Sequence, residues 1–218
     1  MINGVLFDMD GLMFDTERLG TRAWMEVGRR HHIPITEDVL NTMRGRVLSD
    51  CIRIFKENYG EDFDFWGLRK ERTALFESYL QQGMPIKTGL RELLAYLREN
   101  QIKISLATST DRRTAERYLD MAEIKGYFDV LLCGDMVTHG KPDPEIYIKA
   151  ANALGERPEN CLVLEDSVLG VYAGYRAGCH VIMIPDMVEP GEEERQRAEL
   201  CADTLLDVIE YLKAQITG

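Results

Sequence analysis

No stretch of the chain approaches the ~20 consecutive apolar residues needed to span a bilayer, so no membrane-crossing helix is expected. The first residues lack a basic region leading into an apolar run, which predicts no secretory leader. Cysteine is sparse: five residues in 218, at 51, 133, 161, 179 and 201, with no C-x-x-C pair. Their odd number and wide spacing predict free thiols in a reducing, cytoplasmic setting. Cys133, Cys161 and Cys179 lie in or beside apolar runs and read as core packing. Positive charge is also in short supply, with 26 basic against 37 acidic residues and a net charge of −11. That balance argues against nucleic-acid binding. A small anionic substrate then needs a metal ion and one or two cations acting locally. Internal repeats and low-complexity segments are absent as well.

What is present is an ordinary globular composition, 45% apolar, in a length that suits one large domain or a core with a smaller insertion. Five short apolar segments lack clean alternation: Gly4 to Phe7, Ile102–Ala107, Val130–Cys133, Cys161–Leu164 and His180–Ile184. This is the pattern of strands buried on both faces. Helical spacing separates them. Leu90, Leu93, Leu94 and Leu97 form one stripe; Ala115, Tyr118, Leu119 and Ala122 another; Ile146, Tyr147, Ala150 and Leu154 a third; Leu205, Leu206, Ile209 and Leu212 a last. Asp143-Pro144 is expected to open the third helix, with Asp143 as N-cap, and Gly155 to end it. The alternation predicts an α/β fold, a doubly wound parallel sheet with a Rossmann-like core. One interval breaks it. Residues 16–82 hold no comparable strand and are rich in helix formers and charge, so they read as an inserted α-helical cap. The core is then 1–15 and 83–218, with hinges at Asp15-Thr16 and Gly83-Met84-Pro85.

Polar residues gather where the strands stop, the side on which such sheets bind ligands. The first strand runs into Asp8-Met9-Asp10-Gly11, two carboxylates that repel and need a reason to coexist. The second runs into Thr108-Ser109-Thr110, the third towards Gly140-Lys141-Pro142-Asp143-Pro144, and the fourth into Glu165-Asp166-Ser167. Together these offer a nucleophile, a metal site, a hydrogen-bond donor and a fixed cation, a kit for phosphoryl transfer. Asp111 and Ser167 read as helix N-caps. His139, the pair His31-His32 and the cluster Glu61, Asp62 and Asp64 read as solvated surface.

D-x-D-G-x-x-x-D, a Thr/Ser after the next core strand, the lysine of G-K-P-D-P, and E-D-S, in this order, resemble the four motifs of the haloacid dehalogenase-like hydrolase superfamily. The resemblance covers nearly the whole chain and is greatest to the subgroup holding phosphoglycolate phosphatase and β-phosphoglucomutase. It implies roles for matching positions. Asp8 would be the nucleophile and Asp10 the proton carrier. Thr108, with the backbone N–H of Ser109, would bind the phosphoryl oxygens, and Lys141 would neutralise them. Mg²⁺ would be held by Asp8, the Asp10 carbonyl and Asp166, with Glu165 a further ligand or an anchor behind them. Oxygen ligands and phosphate suit Mg²⁺. Asp10 argues against the dehalogenases of the superfamily, which lack that aspartate.

The cap departs from β-phosphoglucomutase. Trp24 and the Asp15-Thr16 entry look alike, but Gly20 stands where that enzyme has a histidine, and Leu48 where it has an arginine. Thr16, Arg44, Arg46 and Arg72 are the expected substrate contacts from this side. These losses favour a phosphatase acting on a small phosphorylated metabolite, with a sugar or polyol phosphate as substrate, over a mutase. The expected molecule is a monomer or weak dimer, with no nucleic-acid or membrane partner.

Overall fold

The structure is a computed structural model that describes residues 2–43 and 48–217. The chain divides into two compact units, Met1–Asp15 with Met84–Gly218, and Thr16–Gly83.

The Thr16–Gly83 unit is helical. It comprises α1 (Thr16–Arg30), α2 (Glu37–Asn41), α3 (Leu48–Tyr59) and α4 (Phe65–Leu80). Its core is aromatic. The Phe55 ring stacks on Phe63 at 4.9 Å and meets Trp24 at 4.7 Å, and Val27, Ile35, Ile54, Phe65 and Leu68 close around them. Asp64, expected as a solvated residue, caps α4 by accepting from Gly67 N–H.

The other unit is built on a six-stranded, all-parallel sheet in the order β3-β2-β1-β4-β5-β6. The strands are β1 (Gly4–Phe7), β2 (Lys103–Ala107), β3 (Val130–Leu132), β4 (Cys161–Glu165), β5 (His180–Met183) and β6 (Leu200–Cys201). The helices are α5 (Leu90–Glu99), α6 (Arg112–Met121), α7 (Glu145–Ala153), α8 (Val168–Ala177), α9 (Glu192–Arg197) and α10 (Leu205–Thr217). All four residues of β1 are buried, because β1 lies between β2 and β4 and is covered on both faces. That placement explains the apolar run without alternation. On one face, Ile146, Tyr147, Ala150 and Ala151 of α7 and Val171 and Ala173 of α8 pack on Leu6, Val163 and Val181.

The α/β reading therefore holds, with two short elements, β6 and α9, added to it. One local expectation is corrected. Helix α7 starts at Glu145 with Pro144 at its N-cap. Asp143 sits one residue earlier, and its side chain accepts from Glu145 N–H at 2.9 Å. The proline ring fixes φ but gives no side-chain oxygen, so the aspartate reaches past it to the first free N–H. Asp111 and Ser167 are N-caps of α6 and α8, as expected. All five cysteines are free thiols. No helix among the described residues is long and apolar enough to cross a membrane.

Candidate active site

The sheet order reverses at β1. The chain steps from β1 to β2 and β3 on one side, then crosses to β4 on the other. Ligands bind at such a switch, beyond the carboxyl ends of the strands. There β1 delivers Asp8, β2 delivers Thr108 and β4 ends on Glu165-Asp166.

Strand β1 stops at Phe7, so Asp8 and Asp10 stand on the irregular segment beyond it rather than on the strand. Asp8 N–H still donates to Leu164 C=O of β4 at 3.1 Å. Gly11 has φ +88°, and a Cβ there would lie 2.2 Å from Asp166 Oδ2. Only glycine meets both conditions. The turn closes through Gly11 N–H to Phe14 C=O. Phe14 then bridges Ile86, with Asp15 N–H donating to Pro85 C=O and Lys87 N–H to Met13 C=O. The segment after Asp10 and the segment entering α5 are thus tied by backbone.

Lys141 joins the strand ends. Its Nζ donates to Asp8 Oδ1 at 2.5 Å and to Glu165 Oε1 at 2.6 Å. Both the ammonium and its partners are almost wholly enclosed. Burial pushes the Asp8 carboxyl up, to about 7. Lys141 opposes this, while Glu165 and Asp10 add to it. Burial, then Glu165 and Asp8, likewise lift Asp166 well above the ordinary carboxylate range. Burial would also raise Glu165, but Lys141, Tyr147 and the Ser167 N–H outweigh it and hold this carboxyl below its usual value. Lys141 is held firmly protonated, because Asp8 and Glu165 outweigh its loss of solvation.

Glu165 is fully buried and heavily engaged. Its Oε1 accepts from Lys141 and from Tyr147 Oη, and its Oε2 from Asp166 N–H, Ser167 N–H and Ser167 Oγ. Gly170 leaves the room: a Cβ there would sit 1.7 Å from Oε1. In the sequence Tyr147 reads only as part of a helical stripe, and Gly170 carries no reading. Nothing in their spacing separates a core tyrosine from one aimed at a carboxylate.

Thr108 is buried, and its Oγ1 accepts from Thr110 N–H at 3.1 Å. Thr110 Oγ1 in turn donates to Asp10 Oδ2 at 2.7 Å. Thr110 was named in the motif but given no role. Ser109 is exposed, with Gly134 packed against its carbonyl. The Lys141 loop is held by Glu145, whose carboxylate accepts from Thr138 N–H, His139 N–H and Lys149 Nζ. His139 itself is exposed. The expected substrate residues of the helical unit are placed separately. Thr16 is buried at the start of α1, and the Arg72 guanidinium lies over the Phe76 ring at 4.9 Å. A Cβ on Gly20 would meet Arg72 Nη2 at 2.3 Å, so Arg72 occupies the space a side chain at position 20 would take. Arg44 and Arg46 lie outside the described residues.

The ligating oxygens of Asp8, Glu165 and Asp166 lie within 4.8 Å of one another. Two buried carboxylates and the half-buried Asp166 face one ammonium, and every donor is oxygen. A hard divalent cation fits this set on charge and on ligand type.

Residues 5–184 match the model of the haloacid dehalogenase-like hydrolases. The chain is 35% identical over 181 residues to a phosphorylated carbohydrates phosphatase of Thermotoga maritima, covering 81% of this chain and 82% of that one. It is 32% identical to hexitol phosphatase A of Escherichia coli K12, covering 83% and 82%. A solved Thermotoga maritima structure, provisionally assigned as a β-phosphoglucomutase, superimposes with a TM-score of 0.84 at 30% identity, covering 98% of this chain and 99% of that one. With the sheet order and the four strand-end motifs, these matches place the chain in the haloacid dehalogenase-like hydrolase family.

Proposed function

We propose that this protein is a Mg²⁺-dependent phosphatase that hydrolyses a small phosphomonoester, a sugar or polyol phosphate, through an aspartyl-phosphate on Asp8. The observation that carries the reading is Lys141, buried and shared between Asp8 and Glu165 beside Asp166. The names of the phosphorylated-carbohydrate and hexitol phosphatases support the substrate class.

In this reading an Asp8 carboxylate oxygen attacks phosphorus while the bond to the leaving oxygen breaks. Asp10, oriented by Thr110, gives its proton to that oxygen. Asp10 then takes a proton from water as the water attacks the phosphoryl group. The Asp8–phosphorus bond breaks and inorganic phosphate leaves. Lys141 and Thr108 hold the equatorial oxygens, and Lys141 restrains Asp8 between the steps. Asp8, Asp166 and the Asp10 carbonyl would hold Mg²⁺, whose charge offsets that of the phosphoryl group. Glu165 fits an anchoring role better than ligation, because both of its oxygens are engaged.

Residues 16–82 act as the cap that reads the leaving group, with Thr16, Arg72, Arg44 and Arg46 as its contacts. The resemblance to a provisionally assigned β-phosphoglucomutase supports a second reading, a phosphosugar mutase. Gly20 and Leu48 weigh against it. The deciding test is a phosphate-release screen over a broad panel of phosphorylated metabolites with Mg²⁺, using Asp8→Asn as the blank. Release that needs Mg²⁺ and vanishes in Asp8→Asn is expected. Hexose-phosphate interconversion stimulated by a bisphosphate, with little free phosphate, would favour the mutase. Turnover surviving Asp8→Asn would remove Asp8 as nucleophile.

A further inference from the structure

Tyr147 is fully buried among apolar residues of the α7 face, including Leu6, Val163 and Ile146. A phenylalanine would fill nearly the same volume with no polar atom to satisfy. A phenol in such surroundings costs stability unless its hydroxyl finds a partner. Here the partner is Glu165 Oε1 at 2.6 Å, the same oxygen that accepts from Lys141 at the same distance. The Tyr147 ring also lies under the Lys141 ammonium, 4.9 Å from Nζ. One segment therefore supplies both the cation and its support: Tyr147 N–H closes the first turn on Pro144 C=O, six residues after Lys141.

A carboxylate offers about four lone-pair sites. Glu165 meets five donors, of which Tyr147 is the one that a core side chain could omit. Without it, Oε1 has a free site on a carboxylate that already has an oxygen within 4.8 Å of oxygens of Asp8 and Asp166.

We propose that Tyr147 is a positioning residue: its hydroxyl commits Glu165 to anchoring Lys141 against Asp8 and withholds Glu165 from the metal. The inference rests on the phosphatase reading for its kinetic arm and on metal binding alone for the other.

The test uses four variants of the full chain: Tyr147→Phe, Glu165→Gln, the double variant of these two, and Asp166→Asn. Steady-state hydrolysis of p-nitrophenyl phosphate gives kcat and KM, and calorimetric titration with Mg²⁺ in the absence of substrate gives metal affinity. Tyr147→Phe is expected to lower kcat about tenfold, the scale of one hydrogen bond to a charged group. KM should stay within about twofold, because the phenol is not expected to touch substrate. Mg²⁺ affinity should hold or tighten. Glu165→Gln should lose less Mg²⁺ affinity than Asp166→Asn, since it removes an anchor behind the site and Asp166→Asn removes a proposed ligand. The double variant should be no slower than Glu165→Gln alone, because both act on one contact.

A Tyr147→Phe enzyme with kcat within twofold of the parent overturns the proposal. So does a loss of Mg²⁺ affinity in Glu165→Gln as large as that in Asp166→Asn, or fully additive effects in the double variant. If Tyr147→Phe does not fold, the Glu165→Gln titration decides between anchor and ligand. A parent protein that releases no phosphate removes the phosphatase reading, while the titrations still decide the anchoring role.

Discussion

Thr110 shows how little of a side chain's role lies in its identity. Its hydroxyl spans 2.7 Å to Asp10, the proposed proton carrier. Valine would keep the volume and the branch while deleting the donor. Thr110→Val is expected to lower kcat about tenfold, in line with one hydrogen bond to a charged acceptor. Pre-steady-state measurement of phosphoenzyme formation and breakdown should show both slowed, since Asp10 serves both. An unchanged kcat would mean that Asp10 is oriented by its other contacts. Glu165 makes the same point from the other side. The sequence offered ligand or anchor, and the five donors around its carboxylate favour the anchor.

Elements carry the next level of constraint. Lys87, on the segment entering α5, places its ammonium 2.7 Å from Asp186, just beyond β5, and the Asp186 side chain is fully enclosed. Removing one partner of such a pair costs about 3–5 kcal/mol, because a charge stays buried. Lys87→Met should show that loss in urea unfolding, and adding Asp186→Asn should recover much of it. The loop carrying Lys141 depends on Glu145, held near pKa 2 by Lys149 and by the Thr138 and His139 N–H groups. A depressed carboxyl stabilises the fold above its ordinary value of 4.5 and stops doing so as pH falls through about 2. The melting difference between the parent and Glu145→Gln should therefore shrink as pH drops across that window, and a constant difference would refute it.

The strands and their polar ends were legible because buried parallel strands write themselves as short apolar runs. Strand β6, with two residues, leaves no such run. The pairs Lys87–Asp186 and Tyr147–Glu165 join residues distant in sequence, and no periodicity records them. Gly11 stands in the first motif, but its reason, like that of Gly170, shows only when Asp166 and Glu165 are seen against them.

At the scale of the whole molecule, a Mg²⁺ ion held by Asp8 and Asp166, as proposed, would couple folding to metal. A ligand that binds only the folded chain stabilises it by about 2.7 kcal/mol at a hundredfold excess over Kd. For a chain of this length that corresponds to a rise in melting temperature of roughly 5–10 °C. Scanning calorimetry with and without Mg²⁺ should show it, and Asp166→Asn should abolish most of it. An equal shift in Asp166→Asn would place the ion elsewhere on this net-negative surface. The sheet order has a further consequence, for biogenesis. Gly4 pairs with Lys103 on one side and with Cys161 on the other. The central strand is thus made before both of its neighbours, and during synthesis it waits about a hundred residues for the first of them, β2, and longer for β4. Until β2 emerges, an apolar strand is exposed along both edges, and until β4 emerges it is still open along one, so the same centrality that encloses Asp8 makes the nascent chain a natural client for chaperones.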